Sequence, residues 1–154
     1  MTLEELRRYG LELMREEEME AALSSHSIGV LGLSAEDGPY LVPLSYAYED
    51  ETLYFTYILG EESHKEQLTE AAGRGRFLVY DAQSMFRWES VLVDGTFRTV
   101  PPSEWGDLAA LLREAWRPRL FETASTSRNI KIYAFDVLEM SGIKQTGLPP
   151  GMTR

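Results

Sequence analysis

The chain has 154 residues, 44% hydrophobic and 11% aromatic, which fits one globular domain with a sizeable core. Its formal charge of −10 and pI near 4.7, with no basic stripe, exclude a nucleic-acid partner, because holding a polyanion takes a cationic surface that displaces counterions. The absence of cysteine excludes disulfides, thiol catalysis and thiolate metal sites, and two histidines leave little from which to build a zinc centre.

No apolar run approaches the roughly 18 to 20 residues needed to span a bilayer, and no leader pattern is visible, so the expectation is a cytoplasmic protein with no membrane partner. Twelve arginines and only three lysines stand among abundant glutamates. That balance has two readings: adaptation to high salt, where self-repulsion is screened within about 3 Å at 1 M, or an ordinary acidic protein. A thermal melt across a KCl series separates them, and no stabilisation at high salt removes the first.

In chain order, Thr2 caps a first helix with Glu5 three residues on, and the acidic run Glu16 to Glu20 continues helical character toward Leu23 as a solvated face. Ile28 to Leu33 is an apolar stretch of strand length, and Glu36-Asp37-Gly38-Pro39 supplies a turn into a second strand from Tyr40 to Tyr48, a hairpin. In that strand Tyr40, Val42, Leu44, Tyr46 and Tyr48 alternate with Leu41, Pro43, Ser45 and Ala47. Pro43 cannot donate to a ladder. Either this is an edge strand, or a planar ligand lies against Leu44, Ser45 and Tyr46 and uses the backbone groups left free.

A third strand runs from Thr52 to Leu59, with Leu53, Phe55, Tyr57 and Leu59 on one face and Tyr54, Thr56 and Ile58 on the other. It leads to Ser63-His64-Lys65-Glu66, where a helix begins that Gly73 stops after Ala72. A helix N-terminus leaves backbone N–H groups without intrahelical partners and carries partial positive charge, so a phosphate there gains hydrogen bonds and dipole stabilisation, with Lys65 adding a full charge. The alternative is a capped surface helix, Ser63 as N-cap with Glu66 closing a capping box.

Arg76 to Tyr80 begins a fourth strand, and a fifth runs from Trp88 to Val100 with Gly95 as a bulge or point of close backbone approach. Pro101-Pro102-Ser103 caps a helix whose Trp105, Leu108, Leu111, Leu112, Ala115 and Trp116 lie at helical spacing, read as core or dimer contact. Pro118 to Arg128 is irregular, Ile130 to Val137 forms a sixth strand, and a loose tail follows over 145–154. The expected architecture is α+β: a single domain over 1–154, a helical extension at 1–13, and a six-stranded antiparallel barrel with peripheral helices. Regular strand–helix alternation, a Gly-rich dinucleotide loop and a Gly-x-Ser-x-Gly elbow are all missing, which excludes the doubly wound and serine-hydrolase readings.

Thr56-Tyr57, Ser63-His64-Lys65 with Gln67-Leu68, and Trp88 through Gly95 resemble, in order and spacing, the pyridoxamine 5'-phosphate oxidase-like FMN-binding split barrels. Gly29-x-Leu31, Pro39 to Tyr46, Leu53-Tyr54-Phe55 and Phe135-Asp136-Val137 to Met140-Ser141-Gly142 are similar to the branch related to nitroimidazole-resistance proteins. The resemblance covers roughly residues 14 to 144. It implies FMN as cofactor, with Ser63, His64 and Lys65 gripping its phosphate; histidine stands where the oxidases proper have arginine. It further implies that Pro43, Leu44, Ser45 and Tyr46 lie along the isoalloxazine, that Thr56 sits near the ribityl or ring, and that Trp88, Ser90 and Val91 line the site. A C₂ homodimer with two sites at its interface is implied as well.

On the resemblance a catalytic side chain need not exist, since a bound flavin carries the chemistry, and the sequence names none. The oxidases' C-terminal Arg and His signature has no match in Leu138 to Arg154, so oxidation of pyridoxamine phosphate is not expected. The expected activity passes electrons from a reduced nicotinamide to a small electron-poor acceptor. A deazaflavin-dependent reductase and a non-catalytic flavin- or haem-binding stress or sensor protein are the alternatives.

Overall fold

The computed structural model describes residues 1–59, 63–113 and 130–152. The chain forms α1 (Leu3–Arg8), β1 (Leu11–Leu13), α2 (Glu16–Ser25), β2 (Ile28–Ala35), β3 (Gly38–Ser45), β4 (Ala47–Glu49) and β5 (Thr52–Ile58). Then follow α3 (His64–Ala72), β6 (Arg74–Ser84), β7 (Arg87–Val100), α4 (Trp105–Arg113) and β8 (Ile130–Gln145). The six expected strands are present, and two three-residue strands, β1 and β4, join them. Thr2 and Glu5 form the expected capping box, and Gly73 ends α3 in the left-handed conformation at φ 63°. Strand β8 runs eight residues past the expected end at Val137, to Gln145. The irregular stretch expected over Pro118 to Arg128 and the helical positions Ala115 and Trp116 lie outside the described residues. No described helix is long and apolar enough to cross a membrane.

All eight strands join one antiparallel sheet in the order β3-β2-β6-β7-β8-β5-β4, with β1 added to β8. The strand expected over Tyr40 to Tyr48 breaks at Tyr46. Before the break β3 pairs with β2, and after it β4 pairs with β5 at the opposite end of the sheet. The two ends of the ladder are thus joined by the chain itself, but β3 and β5 are not paired with each other, which is a split barrel and not a closed one. Tyr46 fixes the break: it is 1% exposed, its N–H bonds Ser27 O at 2.9 Å and its phenol donates to Leu23 O at 2.7 Å.

The core follows from the alternation. Leu31, Leu44, Phe55, Tyr57, Phe77, Val79, Val91, Val93, Tyr133 and Phe135 point into the curled sheet, and Met19, Ala22 and Leu23 of α2 close one end. The Phe55 ring lies 5.0 Å from Phe77 and 5.6 Å from Phe135. Burying each such side chain contributes about 1.5–3 kcal/mol. At the expected Gly95 position the β7–β8 register shifts, so that Asp94 faces Glu139 and Gly95 faces Val137, leaving Leu138 as the extra residue. A Cβ on Gly95 would lie 2.6 Å from Phe135 Cε1, so the close approach is also met. On the far side of β5 and β8, Leu112, Trp105 and Leu108 of α4 cover Ala47, Val100, Ile132 and Ala134, so the α4 stripe is core.

Candidate functional site

Helix α3 sits over the split. Its N-cap Ser63 accepts the Glu66 N–H at 3.3 Å, as the sequence predicts, but the Glu66 carboxylate does not return to close a capping box and instead pairs with Lys131 of β8. The His64 ring meets the Tyr40 ring edge-on at 5.1 Å, which ties the helix start to β3. Lys65 Nζ stands 4.4 Å from the centroid of the Tyr57 ring on β5, a cation–π contact. The first turn of α3 therefore bridges the two unpaired strands.

The polar network beneath it is fully assigned. Thr69 Oγ1 donates its single proton to Lys65 O at 2.8 Å, so the Tyr57 phenol must be the donor in the 2.9 Å contact between Tyr57 and Thr69. Burial pushes the Tyr57 phenol up to about 12, so it stays protonated as that donor. Tyr133, whose ring packs 4.6 Å from Tyr57, donates to Glu70. Lys131 pairs with Glu66 and lies 3.6 Å from Glu70. Burial lowers the pKa of Lys65, and among the described residues no carboxylate pairs with it. A half-buried ammonium resting on a neutral ring, with no carboxylate partner among the described residues, places positive charge at a helix start, as an anion seat requires.

The second part of the surface is the open edge of β3. The Tyr46 N–H to Ser27 O bond fixes which pairs of the β2–β3 ladder are hydrogen-bonded: Leu44 with Gly29, Val42 with Leu31, Tyr40 with Leu33. Leu41, Pro43 and Ser45 fall between them and turn their backbone groups away from β2. Pro43 thus costs no ladder bond, and the edge-strand reading holds. The N–H of Ser45 and the carbonyls of Pro43 and Ser45 are presented to the unpaired side.

Across β3, β2, β6 and β7 the outer face of the sheet carries an apolar row that no described element covers. Pro43, Val30, Leu78 and Leu92 form one row across β3, β2, β6 and β7, and Leu41, Gly32, Arg76 and Asp94 form the next. Leu41 is 67% exposed and Tyr80 59%. A groove of about 910 Å³ opens here over Gly32, rimmed by Leu41, Arg76 and the Arg74–Asp94 ion pair.

The candidate residues from the sequence fall into three groups. Ser63, His64 and Lys65 converge at the split. Pro43, Ser45, Trp88 and Ser90 share the outer face by strand parity, with the Trp88 indole N–H donating to Gln145 Oε1 at 3.2 Å. Leu44, Tyr46 and Val91 point into the core, at 9%, 1% and 0% exposure, and form the wall behind that surface. Thr56 lies apart from all three, on the outer side of β5 opposite Ile132.

A family model for pyridoxamine 5'-phosphate oxidase matches residues 15–144. The chain belongs to that family. Among curated proteins no relative matches. Solved structures share the fold. An FAD-binding protein of Mesorhizobium loti is 22% identical at TM-score 0.71, covering 88% of this chain and 97% of its own. A candidate 5-nitroimidazole antibiotic resistance protein of Bacteroides thetaiotaomicron is 18% identical at TM-score 0.74, covering 87% of each. An FAD- and haem-binding protein of Mycobacterium smegmatis is 18% identical at TM-score 0.69, covering 93% of this chain and 77% of its own.

Within this member of the pyridoxamine 5'-phosphate oxidase family, sequence reading missed Tyr40, Lys131, Tyr133 and Glu70 as parts of the site. Tyr133 meets Glu70 across 63 residues of chain, and no local pattern announces such a contact. The period-two alternation of β5 did place Tyr57 on one face with Leu53 and Phe55, which is the inner face; its role under Lys65 needed α3 to be docked.

Proposed function

We propose that this chain binds FMN, with the phosphate on the first turn of α3 and the ring along the open edge of β3, and passes electrons from a reduced nicotinamide to a small electron-poor acceptor. The carrying observation is Lys65: a half-buried ammonium held on the Tyr57 ring at a capped helix start, where its charge is left for an anion. Ser63 and His64 flank that seat. The Ser45 N–H and hydroxyl and the carbonyls of Pro43 and Ser45 supply donors and acceptors to the polar edge of a planar ring, and Leu44 and Tyr46 wall it from behind, while Val91 on β7 is three strands from that edge. Trp88, Ser90 and Thr56 remain the lining assignments of the family resemblance.

When bound, the flavin supplies the two-electron chemistry. The protein's part is to bind, orient and exclude water, and the apolar outer face serves that end. Two copies packed through Val30, Leu41, Leu78 and Leu92 bury that face, and in such a C₂ dimer each copy covers the ring of the other. The family match and the flavin-binding neighbours support this reading.

The test is the visible spectrum of the purified protein, followed by titration with FMN, FAD and a deazaflavin and by sedimentation. FMN binding that Lys65→Ala weakens about tenfold, in a dimer that oxidises NADH or NADPH with a nitroaromatic or quinone, is expected; 1.4 kcal/mol corresponds to that factor. Tighter binding of a deazaflavin moves the cofactor assignment, and a dimer that binds flavin but turns over no donor makes it a carrier or sensor. Failure to take up any flavin overturns the proposal.

A further inference from the structure

Helix α3 carries two carboxylates close to its anion seat, and both are held elsewhere. A glutamate in the first turn is itself stabilised by the positive helix end, so Glu66 competes with any external anion for the same field. Glu70 follows at i,i+4 on the same face, where like charges destabilise each other. Lys131 stands beside Tyr57 in the β5–β8 ladder and reaches both, and Tyr133 from the same strand face donates to Glu70. The two lysines around the Tyr57 ring are thus in opposite states: Lys131 is paired with carboxylates, and Lys65 rests on the ring.

We propose that Lys131 is a positioning residue for the phosphate seat: by holding Glu66 and Glu70 against β8 it keeps both carboxylates off Lys65 and leaves that charge to the ligand. This rests on the phosphate reading given above. It assigns to β8 a part in choosing a phosphorylated over an unphosphorylated flavin. Without Lys131, Glu66 in the first turn and Glu70 in the second lose their counter-charge, repelling phosphate and competing for Lys65.

The readout is the ratio of riboflavin to FMN dissociation constants, by flavin fluorescence quenching. Wild type is expected to prefer FMN. Lys131→Met should lower that preference about fivefold, the effect of charge at a distance of several ångströms in a partly screened site. Lys131→Arg should keep the preference, and adding Glu66→Gln and Glu70→Gln to Lys131→Met should restore it. A Lys131→Met protein with undiminished preference, or a loss that the two neutralised carboxylates do not restore, overturns the role of Lys131 alone. If Lys131→Met does not fold, the Glu66→Gln/Glu70→Gln protein decides: with Lys131 intact it should prefer FMN at least as strongly as wild type, and a weakened preference overturns the proposal. A wild type that binds the two flavins equally removes the phosphate seat itself, and the role of Lys131 with it.

Discussion

Tyr57 does two separable jobs, and two substitutions divide them. Its phenol donates to Thr69 Oγ1 at 2.9 Å in the core, and its ring face carries Lys65 at 4.4 Å. Tyr57→Phe removes the donor and keeps the face. Thr69 retains its own bond to Lys65 O, so what is lost is one acceptor's partner, about 1 kcal/mol, or a fall in Tm of about 2–4 °C for a chain of this size. Tyr57→Leu removes the face as well, with the 4.6 Å contact to the Tyr133 ring, for a larger stability loss of about 2–3 kcal/mol. The cation–π contact is worth about 1 kcal/mol where the ammonium is partly desolvated, so FMN affinity should fall about fivefold in the leucine variant and stay near wild type in the phenylalanine variant. Differential scanning fluorimetry reads the first effect and FMN titration the second. Equal FMN affinity in the two variants refutes the claim that the ring positions Lys65, and an unchanged Tm in Tyr57→Phe refutes the assignment of the phenol as a contributing donor.

Gly29 lies where β2 crosses the core: a Cβ there would meet Phe77 Cε1 at 2.5 Å and Leu78 O at 2.6 Å. The carbonyl belongs to the β2–β6 ladder and cannot yield cheaply, so Gly29→Ala should cost about 3 kcal/mol and lower Tm by about 6–12 °C, whereas a shift under 2 °C would show that the strands slide apart freely. Glu18 should contribute to acid sensitivity. Hydrogen bonds from Lys144 and then Arg15 hold its pKa at about 2 against an ordinary 4.5. A carboxylate depressed on folding stabilises above its unfolded pKa and loses that contribution as pH falls toward its folded value. Wild type should therefore lose stability faster than Glu18→Gln between about pH 4.5 and 2, and parallel Tm curves in that window contradict the ion pair's role.

What the sequence made legible is what alternation and punctuation encode. The period-two patterns of Tyr40–Tyr48 and Thr52–Leu59, the glycines at 73 and 95, and the Ser63 cap each placed an element, because each is a local consequence of backbone geometry. Strand β4 was missed because Tyr48 continues the alternation of β3 unbroken; at the break Tyr46 is bonded to Leu23 and Ser27, contacts from another part of the chain that no local pattern announces. The extension of β8 to Gln145 was missed for a similar reason. Leu138–Gln145 carries no clean alternation after the bulge at Leu138, and its strand character comes from pairing with β7 and β1.

The same division holds for the site. Ser63, His64 and Lys65 stood out because cations and a cap at a helix start are a local arrangement, but what makes Lys65 available is long-range. The break at Tyr46 sends β3 and β4 to opposite ends of the sheet, leaving β3 with an unpaired edge and a gap toward β5. Pro43 sits on that edge at a position whose nitrogen no ladder uses, so the edge stays open at no cost to the sheet. Helix α3 then closes the gap with its N-terminus, through His64 on Tyr40 and Lys65 on Tyr57. A sheet closed all round would leave no free backbone edge for a planar ligand, and a helix docked elsewhere would leave Lys65 to the carboxylates of an acidic chain. The split is thus the one feature from which both the edge and the cationic seat follow.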